Sequence, residues 1–204
     1  MDGHAEIASD EVAEERPDEE LDAERAVRRR YALAQIRQYP DAALRLRAQP
    51  VERFDEDLGR LAARLAILMR DANGVGLAAT QVGILQRVFV FQLESGEEDE
   101  PGEIHAVVNP ELLERSEELE SADEGCLSLQ GVLTPVERPV AVTLAGRDPE
   151  GAEVRLELRG LSARVAQHEL DHLDGILILE RTTPEGRREA LATLRPQPVL
   201  PSLR

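Results

Sequence analysis

The chain has 204 residues, 42% of them hydrophobic, which is enough for one domain with its own core. Twenty-four basic residues face 41 acids, a formal net charge of -17, and this argues against nucleic acid as the main partner because phosphate binding runs on basic side chains. Every base is an arginine, which excludes Schiff-base lysine chemistry; no apolar run approaches a membrane span; and the one cysteine, Cys126, cannot form an internal disulfide.

Residues 2–24 carry eleven acids against one base, Arg16, so this stretch holds -10 of the -17 and leaves -7 for the rest. Few large apolar residues interrupt it, and 1–30 reads as a disordered acidic extension, with a helix from Leu21 through Arg30 as the alternative. It lacks the apolar core of a secretory signal and is too acidic for a transit peptide, so the cytoplasm is the expected compartment. Residues 31–195 are expected to form a single catalytic domain, and 196–204 a proline-rich tail. Ile36 to Asp41 reads as a short extended piece stopped by Pro-Asp.

Asp55 is placed to cap a helix in which Leu58, Leu61, Leu65 and Leu68 recur at helical spacing, ending at Asn73-Gly74. The segment Gly74-Val75-Gly76-Leu77-Ala78-Ala79-Thr80-Gln81 is glycine-hinged and feeds a small-residue turn. Arg87 to Gln92 alternates as a strand, Glu94 to Gly102 is an acidic loop, and His105 to Asn109 is a second strand ending at Pro110. Further strands are expected at Val140–Leu144 and Glu153–Leu158. Ser162 is expected to cap the next helix, Gly175 to stop it, and Ile176 to Leu179 to form a buried strand. Thr183-Pro184-Glu185 reads as cap, first-turn proline and first-turn acid of a last helix. Strands and helices do not alternate as βαβ units, so the class is α+β, with antiparallel or mixed strands around a central helix.

That central helix carries Gln167-His168-Glu169-Leu170-Asp171-His172-Leu173-Asp174-Gly175. Four residues turn a helix through about 400°, which sets His168 and His172 on one face, one turn apart, where both can bind one metal ion. Glu169 stands on the shoulder of that face, in reach of a water rather than of the ion, and metal plus carboxylate make a hydrolytic centre. The plain alternative is a surface helix that happens to hold two histidines. A catalytic site needs a third protein ligand. A histidine six residues beyond His172 would complete one pattern, but Ile178 stands there. Glu185 and Glu189 are downstream candidates, and Cys126, in Glu124-Gly125-Cys126-Leu127-Ser128, is the upstream one. A lone cysteine is otherwise a small buried apolar residue.

The three segments 74–81, 124–128 and 167–175, in this order, resemble the signature motifs of the bacterial peptide deformylases, and the likeness runs from Ile36 to about Glu180. It implies a metal-dependent hydrolase that removes the formyl group from the initiator methionine of new polypeptides and releases formate. It implies Cys126, His168 and His172 as metal ligands, Glu169 as general base, and Gln81 with the Leu127 N–H as oxyanion donors. Gly74, Val75 and Gly76 would carry the peptide as an added strand, with Val75, Leu161 and Val165 at the methionine side chain, and Glu124 and Arg138 as a bracing ion pair. The cofactor implied is one divalent ion, Fe2+ in the cell, with Zn2+, Ni2+ or Co2+ as substitutes. The partner implied is the formyl-Met nascent peptide, with no membrane and no nucleic-acid specificity, and a monomer is expected. Arg187, Arg188 and Arg195 offer a ribosome contact, although a solvated helix face accounts for them as well. Gln130 departs from the family, where proline is common, and the acidic extension is longer than the family core. A peptidase with the same helix would leave 74–81 and 124–128 without work; a non-catalytic binder would not need Glu169, Gln81 and Cys126 together.

Overall fold

The computed structural model describes residues 18–95 and 102–194. His4, Arg195, the tail and the middle of the acidic loop lie outside them. The elements run α1 (Asp18–Gln35), a 3-10 turn (Ala42–Arg45), α2 (Glu56–Asp71), β1 (Gly76–Ala78), a 3-10 turn (Ala79–Val82), β2 (Val88–Gln92) and β3 (Ile104–Arg115). Then follow β4 (Leu119–Gly125), β5 (Leu133–Pro139), β6 (Ala141–Arg147), β7 (Glu153–Arg159), α3 (Gly160–Leu173), a 3-10 turn (Ile178–Glu180) and α4 (Pro184–Thr193). Five strands form one antiparallel sheet in the order β1-β2-β3-β6-β7, and β4 and β5 form a separate hairpin.

Alternation along β2 sets the layers. Val88 and Val90 point into a core under α2 with Leu65, Met69 and Leu77, while Phe89 and Phe91 point into a core under α3 with Leu144 and Leu173. All four side chains are fully buried, and each such burial stabilises the fold by roughly 1.5–3 kcal/mol. A third cluster of Leu44, Leu129, Val136, Leu177 and Leu179 joins the hairpin to α4. The sheet thus fixes α3 on one face, and the hairpin brings the cysteine loop against that helix. Among the described residues no helix is long and apolar enough to cross a membrane.

Several caps match their sequence signals. Asp55 accepts hydrogen bonds from the Asp57 and Leu58 N–H groups, and Thr183 accepts from Gly186 N–H ahead of Pro184. Gly175 ends α3 at φ 74°, where a Cβ would lie 2.6 Å from the Arg45 carbonyl oxygen, so glycine is needed twice over.

Five expectations are corrected. The stretch 18–30, read as disordered with a helix from Leu21 through Arg30 as the alternative, belongs to α1; Ala32 of this helix, and Ile36 just past its end, are buried in the core under α2, and Glu24–Arg28 and Asp22–Arg25 pairs support its exposed turns. Ile36 to Asp41 is a bend and turn rather than an extended piece, with Asp41 capping the 3-10 turn after it. Strand β3 runs through Pro110 to Arg115, because β2 pairs with it only as far as Val108 and a bulge follows there, so the missing proline N–H has no ladder to break. Ser162 sits inside α3, where its hydroxyl accepts from Glu94 N–H, and Arg159 is the N-cap residue. Leu177 to Leu179 are buried and Ile176 is half-buried, but the segment is irregular chain leading into a 3-10 turn, since Glu180 accepts the Leu177 N–H.

Candidate metal centre

Helix α3 places His168 and His172 one turn apart, with ring centroids 4.8 Å apart and their Nε2 atoms 3.1 Å apart. Cys126 follows β4 directly, and its Sγ lies 3.2 Å from His172 Nε2. All three donor atoms fall within 4.8 Å of one another. A tetrahedral ion with bonds of about 2.0–2.3 Å holds its donors roughly 3.3–3.6 Å apart, so the set fits a first-row divalent metal. Glu185 and Glu189 lie on α4 and take no part in the cluster; Glu185 accepts from Arg188 at 2.9 Å.

The surroundings suit a cation. His168 Nδ1 donates to Glu124 Oε2 at 3.0 Å, which turns Nε2 toward the cluster. Burial opposes charging of His168, yet the Cys126 sulfur and the Glu124 carboxylate beside it hold its pKa well above the usual value. That is the pull of a negative nest, and a metal ion would feel it at the same place. Burial holds His172 well below its usual value, so its imidazole stays neutral, the form that ligates. The Cys126 sulfur also accepts from Ser128 N–H at 3.4 Å and from the Gln81 amide at 3.7 Å.

A buried ion-pair chain braces both sides. Arg138 donates through Nε and Nη2 to Glu124 at 2.6 and 2.9 Å and through Nη1 to Asp171 at 2.9 Å. Arg164 donates to Glu124 at 2.9 Å and to the Val136 carbonyl at 2.8 Å, and Arg181 holds Asp171 from outside. Burial raises the Glu124 carboxyl, but hydrogen bonds from His168 and Arg138 more than offset it and bring it to about 2. The Glu124–Arg138 pair was expected; Arg164 and Asp171 were not. Their signal is positional: Arg164 stands four residues before His168 and Asp171 three after, on the face that meets the hairpin.

Glu169 is 3% exposed, and its Oε2 has no hydrogen-bond partner among the described residues. Burial lifts its carboxyl to about 7, against the lowering pull of His168 and Arg138. Gln81 is fixed at both ends, its Oε1 accepting Ala78 N–H at 2.8 Å and its Nε2 donating to Ser128 Oγ at 3.1 Å. The Gln38 amide holds the Leu127 carbonyl at 3.0 Å. These groups open on a cleft of about 620 Å³ whose walls include Gly74, Val75, Gly76, Leu161 and Val165. Strand β1 is the sheet's edge, so its outer backbone faces away from β2, and Val75 and Leu161 are 46% and 49% exposed at the rim. The structure therefore brings every expected site residue to one cleft or its bracing. Arg187, on α4, lies 3.8 Å from Glu180.

A thiol and two imidazoles converging beside a buried carboxylate, at the foot of an edge strand, define the class: a metal-dependent hydrolase. A family model described as polypeptide deformylase matches residues 33–188. The peptide deformylase of Thermotoga neapolitana is 45% identical over 152 residues, 74% of this chain and 88% of that protein. The solved peptide deformylase of Thermotoga maritima is 44% identical with a TM-score of 0.67, covering 73% of this chain and 97% of its own. That of Ehrlichia chaffeensis is 31% identical with a TM-score of 0.73, covering 78% and 92%. The chain belongs to the polypeptide deformylase family, and its reaction is removal of the N-formyl group from the initiator methionine of newly made polypeptides.

Proposed function

We propose that Cys126, His168 and His172 hold one divalent ion, ferrous iron in the cytoplasm with zinc, nickel or cobalt able to replace it, and that Glu169 is the general base. The observation that supports this most is the convergence of one sulfur and two Nε2 atoms, 3.1 and 3.2 Å apart along the chain of contacts, beside a buried carboxylate whose Oε2 has no hydrogen-bond partner among the described residues. An ion bound there supplies Lewis acidity and makes a water acidic enough to attack near neutral pH.

Glu169 takes the proton of the attacking water and returns it to the departing amine as the C–N bond breaks, so formate and a free N-terminus result. The Gln81 amide and the Leu127 N–H donate to the formyl oxygen as it gains negative charge, one such donor being worth roughly 3 kcal/mol. Gln81 is suited to this because its other end is already held by Ala78 N–H, which fixes the plane of the amide, and because one of its two N–H donors is engaged only in the long contact to the Cys126 sulfur. The backbone of Gly74, Val75 and Gly76 at the sheet edge receives the peptide as an added strand, and Val75, Leu161 and Val165 take the methionine side chain. Glu124 and Arg138 are positioning residues that hold His168 and the cysteine loop.

The test is formate release from formyl-Met-Ala by enzyme purified without oxygen, with metal content measured. Glu169→Ala is expected to fold and keep its metal while losing at least about 10²-fold in kcat/KM. Cys126→Ala is expected to lose its metal; a full metal load in that variant would remove the sulfur from the ligand set.

A further inference from the structure

Helix α1 lies almost wholly before residue 33, where the family match begins, yet it walls the cleft: Arg29 and Leu33 line the same cavity as Cys126, His168 and Glu169. From there a second groove of about 850 Å³ continues along α1, sharing Arg29, Leu33, Asn73 and Gln130 with the first. Its α1 side presents Arg25, Arg29 and Arg30 against a single acid, Asp22; its other side is formed by the neutral amides of Gln38, Asn73 and Gln130. In a chain of net charge -17, this is a local reversal of sign beside the catalytic cleft.

Arg29 is exposed and makes no ion pair among the described residues, while Arg25 is loosely held by Asp22 at 3.7 Å, both side chains 76% exposed. Arg25, Arg29 and Leu33 follow at four-residue spacing, so they form one stripe on the helix. From Leu33 to Arg25 the helix rises about 12 Å. An extended chain advances about 3.3 Å per residue, so the stripe runs beside roughly four peptide residues.

We propose that α1 extends the substrate cleft and that Arg29, with Arg25, is a specificity determinant favouring nascent chains with acidic side chains at the third to fifth positions. The occupant follows from continuity with the cleft and from complementary charge. Gln130 takes part here: an amide at this position faces the groove and offers hydrogen bonds to a peptide backbone, which proline cannot donate. The proposal rests on the deformylase reading of the cleft.

The experiment uses the full-length, metal-loaded enzyme and the amides of formyl-Met-Ala-Glu-Glu-Glu, formyl-Met-Ala-Gln-Gln-Gln and formyl-Met-Ala-Lys-Lys-Lys. The expected order of kcat/KM at low salt is Glu, then Gln, then Lys, with about two- to fivefold between the first two, the scale of exposed ion pairs. Added salt compresses the order. Arg29→Glu is expected to reverse it, while Arg60→Glu, the same charge change on α2 outside the groove, keeps the wild-type order. Equal values for the three peptides, or the same shift in both variants, overturns the proposal. So does a flat peptide order with Arg29→Glu slowing only ribosome-bound chains, which would assign the arginines to RNA. Binding of the three peptides to the Glu169→Ala enzyme, followed by fluorescence anisotropy, reads the groove without turnover. A preserved order there supports the groove even if wild type releases no formate, a result that would sink the activity reading instead; a flat order overturns the groove.

Discussion

Gly76 decides where the Glu169 carboxylate can stand. A Cβ at Gly76 would lie 2.3 Å from Glu169 Oε1 and 2.8 Å from its Cδ. The clash is with the end of a side chain and not with backbone, so the fold can absorb it by turning Glu169 aside. The strand would survive and the base would be misplaced by about an ångström, an error that can cost 10²-fold in rate. Gly76→Ala is therefore expected to retain its melting temperature within a few degrees and its full metal content, with kcat/KM for formyl-Met-Ala reduced about 10²-fold. Near-normal turnover would mean that Glu169 does not act from this position. At this scale the sequence was unevenly readable. His168 and His172 announce themselves by four-residue spacing, which a helix turns into one face. Nothing local ties Cys126 to them, because their proximity is made by the hairpin and the packing of α3; only resemblance to a family supplied it. Arg164 and Asp171 read as ordinary helix-surface charges, and only the fold shows them buried.

At the scale of elements, the hairpin and α3 are joined through buried charge more than through apolar contact. Arg138 on β5 is 5% exposed and bridges Glu124 on β4 to Asp171 on α3. Removing one partner of such a set leaves carboxylates in the interior short of a counter-charge, a loss of about 3–5 kcal/mol. Arg138→Ala is expected to fall at the lower end, because Arg164 still reaches Glu124 and Arg181 still reaches Asp171. The measurement is the urea midpoint of the metal-free and metal-loaded proteins, the loaded form also losing some metal affinity because Glu124, which orients His168, keeps only Arg164 as its arginine partner. An unchanged midpoint in both forms would remove the bracing role. The helices α2 and α4 were legible because their caps and apolar spacing are local signals. Strands β4 and β5 were not, and the reason is physical. The hairpin is mostly exposed on β4, so Leu-Glu-Ser-Ala-Asp-Glu-Gly shows no alternation, and β5 carries Pro135 and Pro139, which a strand with a free edge tolerates in a two-stranded sheet. Helix α1 was obscured by its acids, since its docking residues fall only in its last turns.

At the scale of the whole molecule, the C-terminal module closes back on the segment that leads into α2. Ala48 N–H donates to the Leu173 carbonyl at 2.8 Å, Gly175 packs against the Arg45 backbone, and the Arg45 guanidinium reaches the Glu180 carboxylate. Partial burial pushes the Glu180 carboxyl up, but Arg45, the Leu177 N–H and Arg187 together hold it below its usual value of 4.5. A carboxylate whose folded-state pKa is depressed stabilises the fold fully above its unfolded pKa, and that contribution is lost as the pH falls through the folded value. Glu180→Gln isolates the charge, because the amide oxygen can still accept the Leu177 N–H. Wild type is thus expected to melt above the variant at pH 7, with the gap closing as the pH drops below about 4. Both side chains remain about a third exposed, at 38% and 30%, so solvent and salt screen the pair. The gap at neutral pH is held to at most about 2–4 °C for a chain of this size. The protein's other carboxylates titrate over the same range and shift both proteins together, which is why the difference is the quantity to read. A gap that stays constant from pH 7 to pH 3 would show that Glu180 ties the module down by its shape and neutral hydrogen bonds and not by its charge.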